Sequence, residues 1–177
     1  MHHALQNHPA TACSAVTGFD VELALADRNR LSLSYVLQGR IPDLSIPKSA
    51  TARRVDGLWR HTCCELFIGE SDVEAYYEFN FSPSTEWAAY RFDRYRSGMT
   101  APDDMESPSI EMISSDSRLN LHAFVNLERL RFQSGKVRIA LAAVVEDREQ
   151  RMSYWALTHP LAKPDFHHAG GFVELTL

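Results

Sequence analysis

Residues 76–81 carry side chains well suited to recognising a small polar ligand. Tyr76, Glu78 and Asn80 alternate there with aromatic residues. Because successive side chains of a β-strand point to opposite faces, this alternation predicts one apolar face and one face with hydrogen-bonding groups. A carboxylate and an amide on one sheet face can bind the hydroxyl groups of a ligand such as a sugar.

The turn at residues 82–85 is predicted to fold a second strand back onto the first. Pairing centred between positions 83 and 84 places Asn80 opposite Trp87 and Arg91 diagonal to Glu78. An aromatic ring, a carboxylate, an amide and a guanidinium then share one sheet face. This mixture suits a ligand with polar groups and apolar faces. The alternative is a solvated face whose surface ion pair contributes little to stability.

Residues 57–68 form a second segment with possible binding groups. Trp59 and His61 lie where a loop gives way to a strand, and Glu65 is a charge inside an otherwise apolar strand. If this strand pairs with the next one, Glu65 should lie near Glu78, and the two carboxylates could also serve glycoside hydrolysis. The alternative assigns Trp59 to the core and Glu65 to a sheet edge.

The third segment is a long loop at residues 154–172 that two prolines stiffen. Its side chains that could ligate a metal are His159, Asp165, His167 and His168. Their spacing matches no standard zinc pattern. The alternative is structural: Asp165 caps a turn and Phe166 plugs the open end of a sandwich.

Composition narrows the possible partners. The chain has 177 residues, enough for one domain with a sizeable core, and a formal net charge of -5, which argues against nucleic acid as a partner. No apolar run is long enough to cross a membrane. The first eight residues lack the basic start and apolar block of a secretory signal.

The cysteines are expected to be free thiols. Their number, three, is odd, and the side chains of adjacent Cys63 and Cys64 should diverge if they lie on a strand. Free thiols predict a cytoplasmic location.

Period-two alternation dominates the chain from residue 16 onward and predicts an all-β fold. It is strongest in residues 119–127 and 137–145, which supply two apolar inner faces for packed antiparallel sheets. We predict an irregular N-terminal segment at residues 1–15 and a single sandwich domain at residues 16–177. The predicted core includes Tyr77, Phe79, Leu121, Val125, Ile139 and Leu141.

Four motifs together resemble bacterial DOMON-like domain proteins, which are similar to family nine carbohydrate-binding modules and to haem-binding DOMON domains. The motifs are residues 58–68, 77–84, 87–92 and 154–168. The likeness extends from about Val16 to Leu177. It implies an immunoglobulin-like or jelly-roll antiparallel β-sandwich with a ligand site on one concave face or end.

The resemblance also implies how a ligand would be held. In the sugar-binding relatives, tryptophans stack on the sugar while acidic, amide and basic side chains bond its hydroxyl groups. The nearest chemical matches here are Trp59, Glu65, Glu78, Asn80, Trp87 and Arg91. In the haem-binding relatives, a Met and a His hold the iron. Among the methionines here, Met99, Met105, Met112 and Met152 match no such motif.

The sequence therefore predicts a non-catalytic cytoplasmic domain that binds a carbohydrate or sugar derivative, with no catalytic residues, no metal ligands and no cofactor. One alternative is a haem- or metal-binding DOMON-type protein. A second is a glycoside-modifying enzyme that uses the paired carboxylates. The predicted ligand-binding residues are Trp59, His61, Glu65, Glu78, Asn80, Trp87, Arg91, Trp155, His159, Asp165 and His167.

Overall fold

The computed structural model describes residues 1–27, 29–130, 132–133 and 135–176, and it confirms the predicted antiparallel β-sandwich. The strands are β1 (His2–Ala4), β2 (Gln6–Asn7), β3 (Val16–Asp27), β4 (Arg30–Gly39), β5 (Cys63–Glu70), β6 (Tyr76–Phe81), β7 (Trp87–Phe92), β8 (Ser109–Ser114), β9 (Arg118–Asn126), β10 (Lys136–Glu146), β11 (Met152–Ala156) and β12 (Val173–Thr176). Short 3-10 helices lie at Ile41–Asp43, Leu58–Arg60, Glu128–Leu130 and Ala169–Gly171. Within the described ranges, no helix combines the length and apolar character that a bilayer-spanning segment needs.

The two sheets have different strand orders. The first runs β1-β3-β4-β9-β8, and the second runs β2-β11-β10-β5-β6-β7, with β12 pairing with β10 beyond the end of β11. Side chains from both sheets meet in one large apolar core. Within that core Phe79, Leu121, Val125, Ile139 and Leu141 are buried as predicted, while Tyr77 is half-buried and packs against it.

The second sheet is buried on its outer face as well. Phe67, Tyr76, Tyr90 and Phe92 form a second apolar cluster there. Phe166 and other side chains of the loop at residues 157–172, here called the C-terminal loop, pack against this cluster. Because both faces are covered, β5 is buried along most of its length. The outer face is where a ligand site can be enclosed.

The N-terminal segment is more regular than predicted. Residues 1–15 contain β1, which pairs with β3 in the first sheet, and β2, which pairs with β11 in the second. Leu5 between them is buried in the core. Strands of three and two residues are too short to show a period in the sequence, and backbone pairing rather than apolar alternation holds them. The domain boundary at residues 15 and 16 stays a prediction.

The β6–β7 hairpin differs from the prediction by one residue. Phe81 pairs with Trp87, and Tyr77 pairs with Arg91. The connecting loop has an odd number of residues because Thr85 adopts a left-handed φ of 75° and its amide donates to the Ser82 carbonyl. A one-residue shift moves every side chain to the other face. The predicted face that combined Trp87 and Arg91 with Glu78 and Asn80 is therefore wrong.

The cysteines are free thiols, and the adjacent pair diverges as predicted. Cys64 joins the core between the sheets, whereas the Cys63 sulfur lies on the outer side, 3.5 Å from Asn80 Oδ1. Burial raises the pKa of both thiols, further assisted by the nearby Glu65 carboxyl. Both should therefore react slowly, since the thiolate is the reactive form.

We expect a disulfide reagent such as DTNB to modify one thiol rapidly in the native protein and three after denaturation. The rapid thiol should be Cys13, which is half-buried rather than buried. Absorbance at neutral pH counts the modified thiols, and Cys13→Ser is the control that should abolish the rapid phase. Two or three rapid thiols in the native protein would contradict the burial of Cys63 and Cys64.

Candidate functional site

A cavity of about 500 Å³ lies against the outer face of the second sheet. Its floor is formed by β5, β6, β7, β10 and β11. The 3-10 turn before β5, the loop after β7 and the C-terminal loop form its rim. The lining residues are Trp59, Glu65, Glu78, Tyr90, Phe92, Arg96, Met99, Val144, Tyr154, Pro164, Phe166 and His167.

Two carboxyl groups lie side by side in this floor. In the β5–β6 pair, Glu65 is opposite Asn80 and Phe67 is opposite Glu78, so the two glutamates are diagonal neighbours on one face. The predicted proximity of Glu65 and Glu78 is confirmed: both line the cavity. Both are buried, with Glu65 only 3% exposed.

The hydrogen bonds of the two glutamates are incomplete. Glu78 Oε1 accepts a bond of 2.7 Å from Asn80 Nδ2, and its Oε2 is 3.6 Å from His167 Nε2. Glu65 Oε1 has no hydrogen-bond partner in the part of the chain that the structure describes. Burial raises the pKa of both carboxyls; the Glu78 charge raises that of Glu65 further, while Arg96 lowers both. Burial therefore disfavours the ionised form of both carboxyls.

His167 supports the carboxyl pair as a neutral group. Its Nδ1 is 2.7 Å from Tyr76 Oη, which also accepts a bond of 3.3 Å from the Arg96 amide. In the neutral ring the hydroxyl can donate to Nδ1 while the proton on Nε2 faces Glu78. Burial, with a smaller contribution from the Arg96 charge, lowers the pKa of His167 to about 4. At neutral pH the ring supplies no positive charge to the glutamates.

A polar clasp formed by Tyr95, Arg96 and Asp165 joins the two rim loops. Arg96 Nη2 donates to Asp165 Oδ1 at 2.8 Å, and Tyr95 Oη donates to Asp165 Oδ2. Asp165 Oδ1 also accepts a bond of 3.0 Å from the His167 amide, so Asp165 caps a turn as the structural alternative predicted. The Arg96 charge is thus matched by Asp165 rather than by the glutamates.

Aromatic rings form much of the cavity wall. Trp59, 38% exposed at the rim, contacts Tyr90 edge-on with a centroid distance of 5.6 Å. Phe166 packs against Tyr154 at 5.9 Å, so it closes the outer face of the sheet rather than an open end of the sandwich. Tyr90 is fixed by its hydroxyl, which donates to Asp56 Oδ1 at 2.9 Å. Such walls suit a ligand with apolar faces.

The structure brings several predicted residues together here. Trp59, Glu65, Glu78 and His167 line the cavity, and Asn80 lies beneath it, holding Glu78. Asp165 reaches the cavity indirectly, through the clasp.

Five other predicted residues lie elsewhere. Trp87 is buried in the core, with Arg54 over its ring, and Trp155 packs against Phe19 in the same core. Arg91 pairs with Asp93. His61 and His159 do not line the cavity either. His61 bonds Glu146 at 2.8 Å, and His159 bonds the Gln6 carbonyl at 2.8 Å. Their placement follows from the hairpin register for Trp87 and Arg91, and from long-range packing for the others.

Sequence reasoning missed several lining residues. Tyr90 and Phe92 would have been found with the correct register, because even positions of β7 share the face of Glu78. Arg96 and Met99 lie in a segment whose composition predicts only a surface loop. No periodic signal marks them.

The four possible metal ligands of the C-terminal loop do not form a metal site. Among the described residues, no three His, Cys, Asp or Glu side chains lie close enough together to hold a metal ion. Each candidate has another partner; His168 Nδ1, for example, accepts a bond of 3.1 Å from the Gly170 amide. A second cavity of about 450 Å³ adjoins the first across His167 and is lined partly by Tyr95, Arg138 and His168.

Comparison with known proteins identifies the fold. No protein-family model and no curated protein matches the chain. Among solved structures, a candidate carbohydrate-binding protein from Bacteroides uniformis superposes with a TM-score of 0.70 at 11% identity, over 99% of this chain and 85% of that one. A family nine carbohydrate-binding module from Caldicellulosiruptor kristjanssonii matches in complex with glucose (TM-score 0.56, 12% identity, 98% and 83% covered). The same kind of module matches in complex with cellotriose (TM-score 0.54, 12% identity, 89% and 72% covered). The chain has the sandwich fold of these modules.

Proposed function

We propose that this chain is a non-catalytic binding domain for a carbohydrate or sugar derivative. The observation that carries the proposal is the cavity on the outer face, which combines aromatic walls with a floor of buried hydrogen-bonding groups. Its volume of about 500 Å³ is within the usual range for small-ligand sites. The fold supports the proposal, because neighbouring structures hold glucose and cellotriose.

A sugar fits this chemistry because its ring has apolar faces and a polar edge. Trp59 at the rim and Tyr90 behind it offer apolar surface to a ring face. Glu65 and Glu78 in the floor can bond hydroxyl groups that enter edge first. The clasp holds Arg96 at the same cavity as a further donor.

The placement of the carboxyl groups favours binding over glycoside cleavage. Glycosidases flank the scissile bond with two carboxyls, about 5–9.5 Å apart, that act from different sides of it. Glu65 and Glu78 are diagonal neighbours that project from the same sheet face. They therefore approach a bound ring from one side.

Haem is the second candidate ligand, because Met99 and His167 both line the cavity. The residues present do not fit it well. Both ring nitrogens of His167 face protein groups, Nδ1 the Tyr76 hydroxyl and Nε2 the Glu78 carboxyl. The floor also carries two carboxyl groups. Addition of haem to the purified protein tests this candidate: a shifted Soret band that Met99→Leu abolishes would favour haem over sugar.

Two broader proposals accompany the binding function. We propose that the chain is DOMON-like, on the four sequence motifs given above. We also propose a cytoplasmic location, which agrees with three free thiols. Cell fractionation with an antibody against the chain tests the location.

We expect Trp59→Ala to weaken sugar binding about tenfold or more, because loss of an aromatic contact of about 1.4 kcal/mol raises Kd tenfold. The free energy of unfolding should also fall, by about 1–3 kcal/mol, because the side chain is only 38% exposed and packs on Tyr90. Isothermal titration calorimetry with glucose, cellobiose, cellotriose and N-acetylglucosamine measures Kd, and urea unfolding measures stability.

Ile113→Ala is the matched control, because Ile113 is exposed on β8 of the other sheet. It should leave Kd unchanged. Equal affinity of Trp59→Ala and wild type for a sugar that binds would remove Trp59 from the site. Failure of all four sugars to bind at 10 mM, a concentration of order ten times a weak millimolar Kd, would count against the proposed function.

A further inference from the structure

The floor of the cavity holds two carboxyl groups whose negative charge, when they ionise, the protein does not neutralise. Glu65 is 3% exposed, lines the cavity, and has no hydrogen-bond partner for Oε1 among the described residues. Glu78 beside it receives one bond, from a neutral amide. An ionised carboxylate buried without a partner is destabilising by several kcal/mol, so proteins normally supply a cation or several donors.

The groups near this pair that could carry positive charge have other partners or are neutral at neutral pH. Arg96 lines the cavity, but both Nε and Nη2 donate to Asp165 Oδ1. His167 Nε2 lies 3.6 Å from Glu78 Oε2, and the other ring nitrogen, Nδ1, is hydrogen-bonded to the Tyr76 hydroxyl. With the Arg96 and Asp165 charges cancelling, two ionised glutamates would leave the cavity with a charge of about -2.

The walls also favour a positive charge over a neutral group. Aromatic faces attract cations through the negative potential of their rings, and Trp59, Tyr90, Phe92 and Phe166 line the same cavity as the two glutamates. The low dielectric constant of these apolar walls strengthens an ion pair that forms between them. The cavity therefore combines the two features by which proteins recognise an organic ammonium group.

We propose that the sugar bound here carries a protonated amine, which enters the floor of the cavity and pairs with Glu65 and Glu78. The proposal names the ligand class of the same site and rests on the proposed function. A neutral hexose would satisfy the aromatic walls but would leave the charge of the glutamates unmatched. An amino sugar satisfies both. The raised pKa values of the two carboxyls agree with a pair that becomes fully ionised when a cation arrives.

The test compares sugars that differ by one group. Glucose and its 2-, 3- and 6-amino-deoxy derivatives are titrated calorimetrically into the wild-type protein at pH 7. We expect at least one amino derivative to bind tenfold or more tightly than glucose. In Glu65→Gln, which keeps the shape of the side chain but removes its charge, the ratio of the two Kd values should fall below threefold.

Glu111→Gln is the matched control for net charge. Glu111 is exposed on β8 of the other sheet, so its replacement removes the same charge without touching the cavity. It should preserve the wild-type ratio; loss of the preference in this variant as well would show a long-range effect and overturn the proposal.

The remaining outcomes separate this inference from the proposed function. If glucose or another neutral sugar binds and every amino derivative binds equally or more weakly, the amine proposal is overturned and the sugar-binding function stands. If neither neutral nor amino sugars bind, the proposed function fails and the amine proposal fails with it.

Discussion

Glu65→Gln should make the protein more stable than wild type, by an amount that grows as the pH rises from 5 to 8. Burial and the Glu78 charge raise the folded-state pKa of Glu65 above the value in the unfolded chain. Between those two values the folded state binds more protons than the unfolded state. The free energy of unfolding then falls as pH increases. Gln has no proton to lose, so the variant escapes this fall.

The expected gain is about 1 kcal/mol or more at pH 8, the scale on which a buried polar group without a partner destabilises a protein. Groups that face Glu65 modify the wild-type curve. The main ones are Glu78 on β6, Arg96 after β7 and His167 in the C-terminal loop. The pKa of His167 is lowered from 6.5 to about 4, so between these values the unfolded chain binds more protons than the folded protein. This residue therefore makes the free energy of unfolding rise with pH, in the direction opposite to Glu65. Because His167 is present in both proteins, most of its contribution cancels when the stability of wild type is subtracted from that of Glu65→Gln.

Urea unfolding at pH 5, 6, 7 and 8 measures the difference. Glu111→Gln, which removes an exposed carboxylate from the other sheet, is the control for the lost charge. A Glu65→Gln difference that is flat, or that shrinks as pH rises, would mean that the carboxyl is ionised and satisfied in the folded protein. The same result would weaken the case for a cationic ligand.

Thr85→Pro should destabilise the protein by about 3 kcal/mol or more. Pro fixes φ at about −65° and has no amide proton, so it can neither adopt the left-handed conformation of Thr85 nor donate to the Ser82 carbonyl. The even-numbered turn that pairs Asn80 with Trp87 then becomes the competing register. That register turns Trp87 out of the core and directs Tyr90 and Phe92 into it. Removing a large aromatic side chain from a core is destabilising by about 3–5 kcal/mol, a large part of the stability of a typical domain.

Thr85→Gly separates register from local chemistry. Gly adopts the left-handed φ of 75° without strain, and this gain should offset loss of the exposed bond from Thr85 Oγ1 to the Ala50 carbonyl. We therefore expect thermal and urea unfolding of Thr85→Gly to resemble wild type. Stability of Thr85→Pro within about 1 kcal/mol of wild type would show that the register of β7 does not depend on the left-handed residue.

This loop also explains why the sequence predicted part of the site and misplaced the rest. Alternation along β5 and β6 and their short connection were enough to bring Glu65 near Glu78. Nothing in a Ser-Pro-Ser-Thr turn indicates that Thr85 is left-handed, because residues with a branched Cβ rarely adopt that conformation. The φ angle of Thr85 therefore determines on which face of the sheet Trp87 and Arg91 lie.

Long-range packing accounts for the other differences. Arg96 meets Asp165 across 69 positions, and Tyr76 meets His167 across 91. The residue pattern within one segment gives no information about contacts between residues so far apart in the chain. The side chains of the His-bearing loop predict a binding role, with a structural role as the alternative. Which of its histidines would reach the cavity depended on how the loop folds over the sheet.

The split pairing of the N-terminal segment has a consequence for the order of folding. Residues 2–4 need β3, which is close in sequence, whereas residues 6 and 7 need β11, about 150 positions away. Contacts of such high sequence separation form late, because the entropy of closing the intervening chain is lost before they contribute. Leu5 can enter the core only when both sheets are in place. This segment should therefore dock at the end of the folding reaction. Its contacts then affect the unfolding rate of the sandwich more than its folding rate.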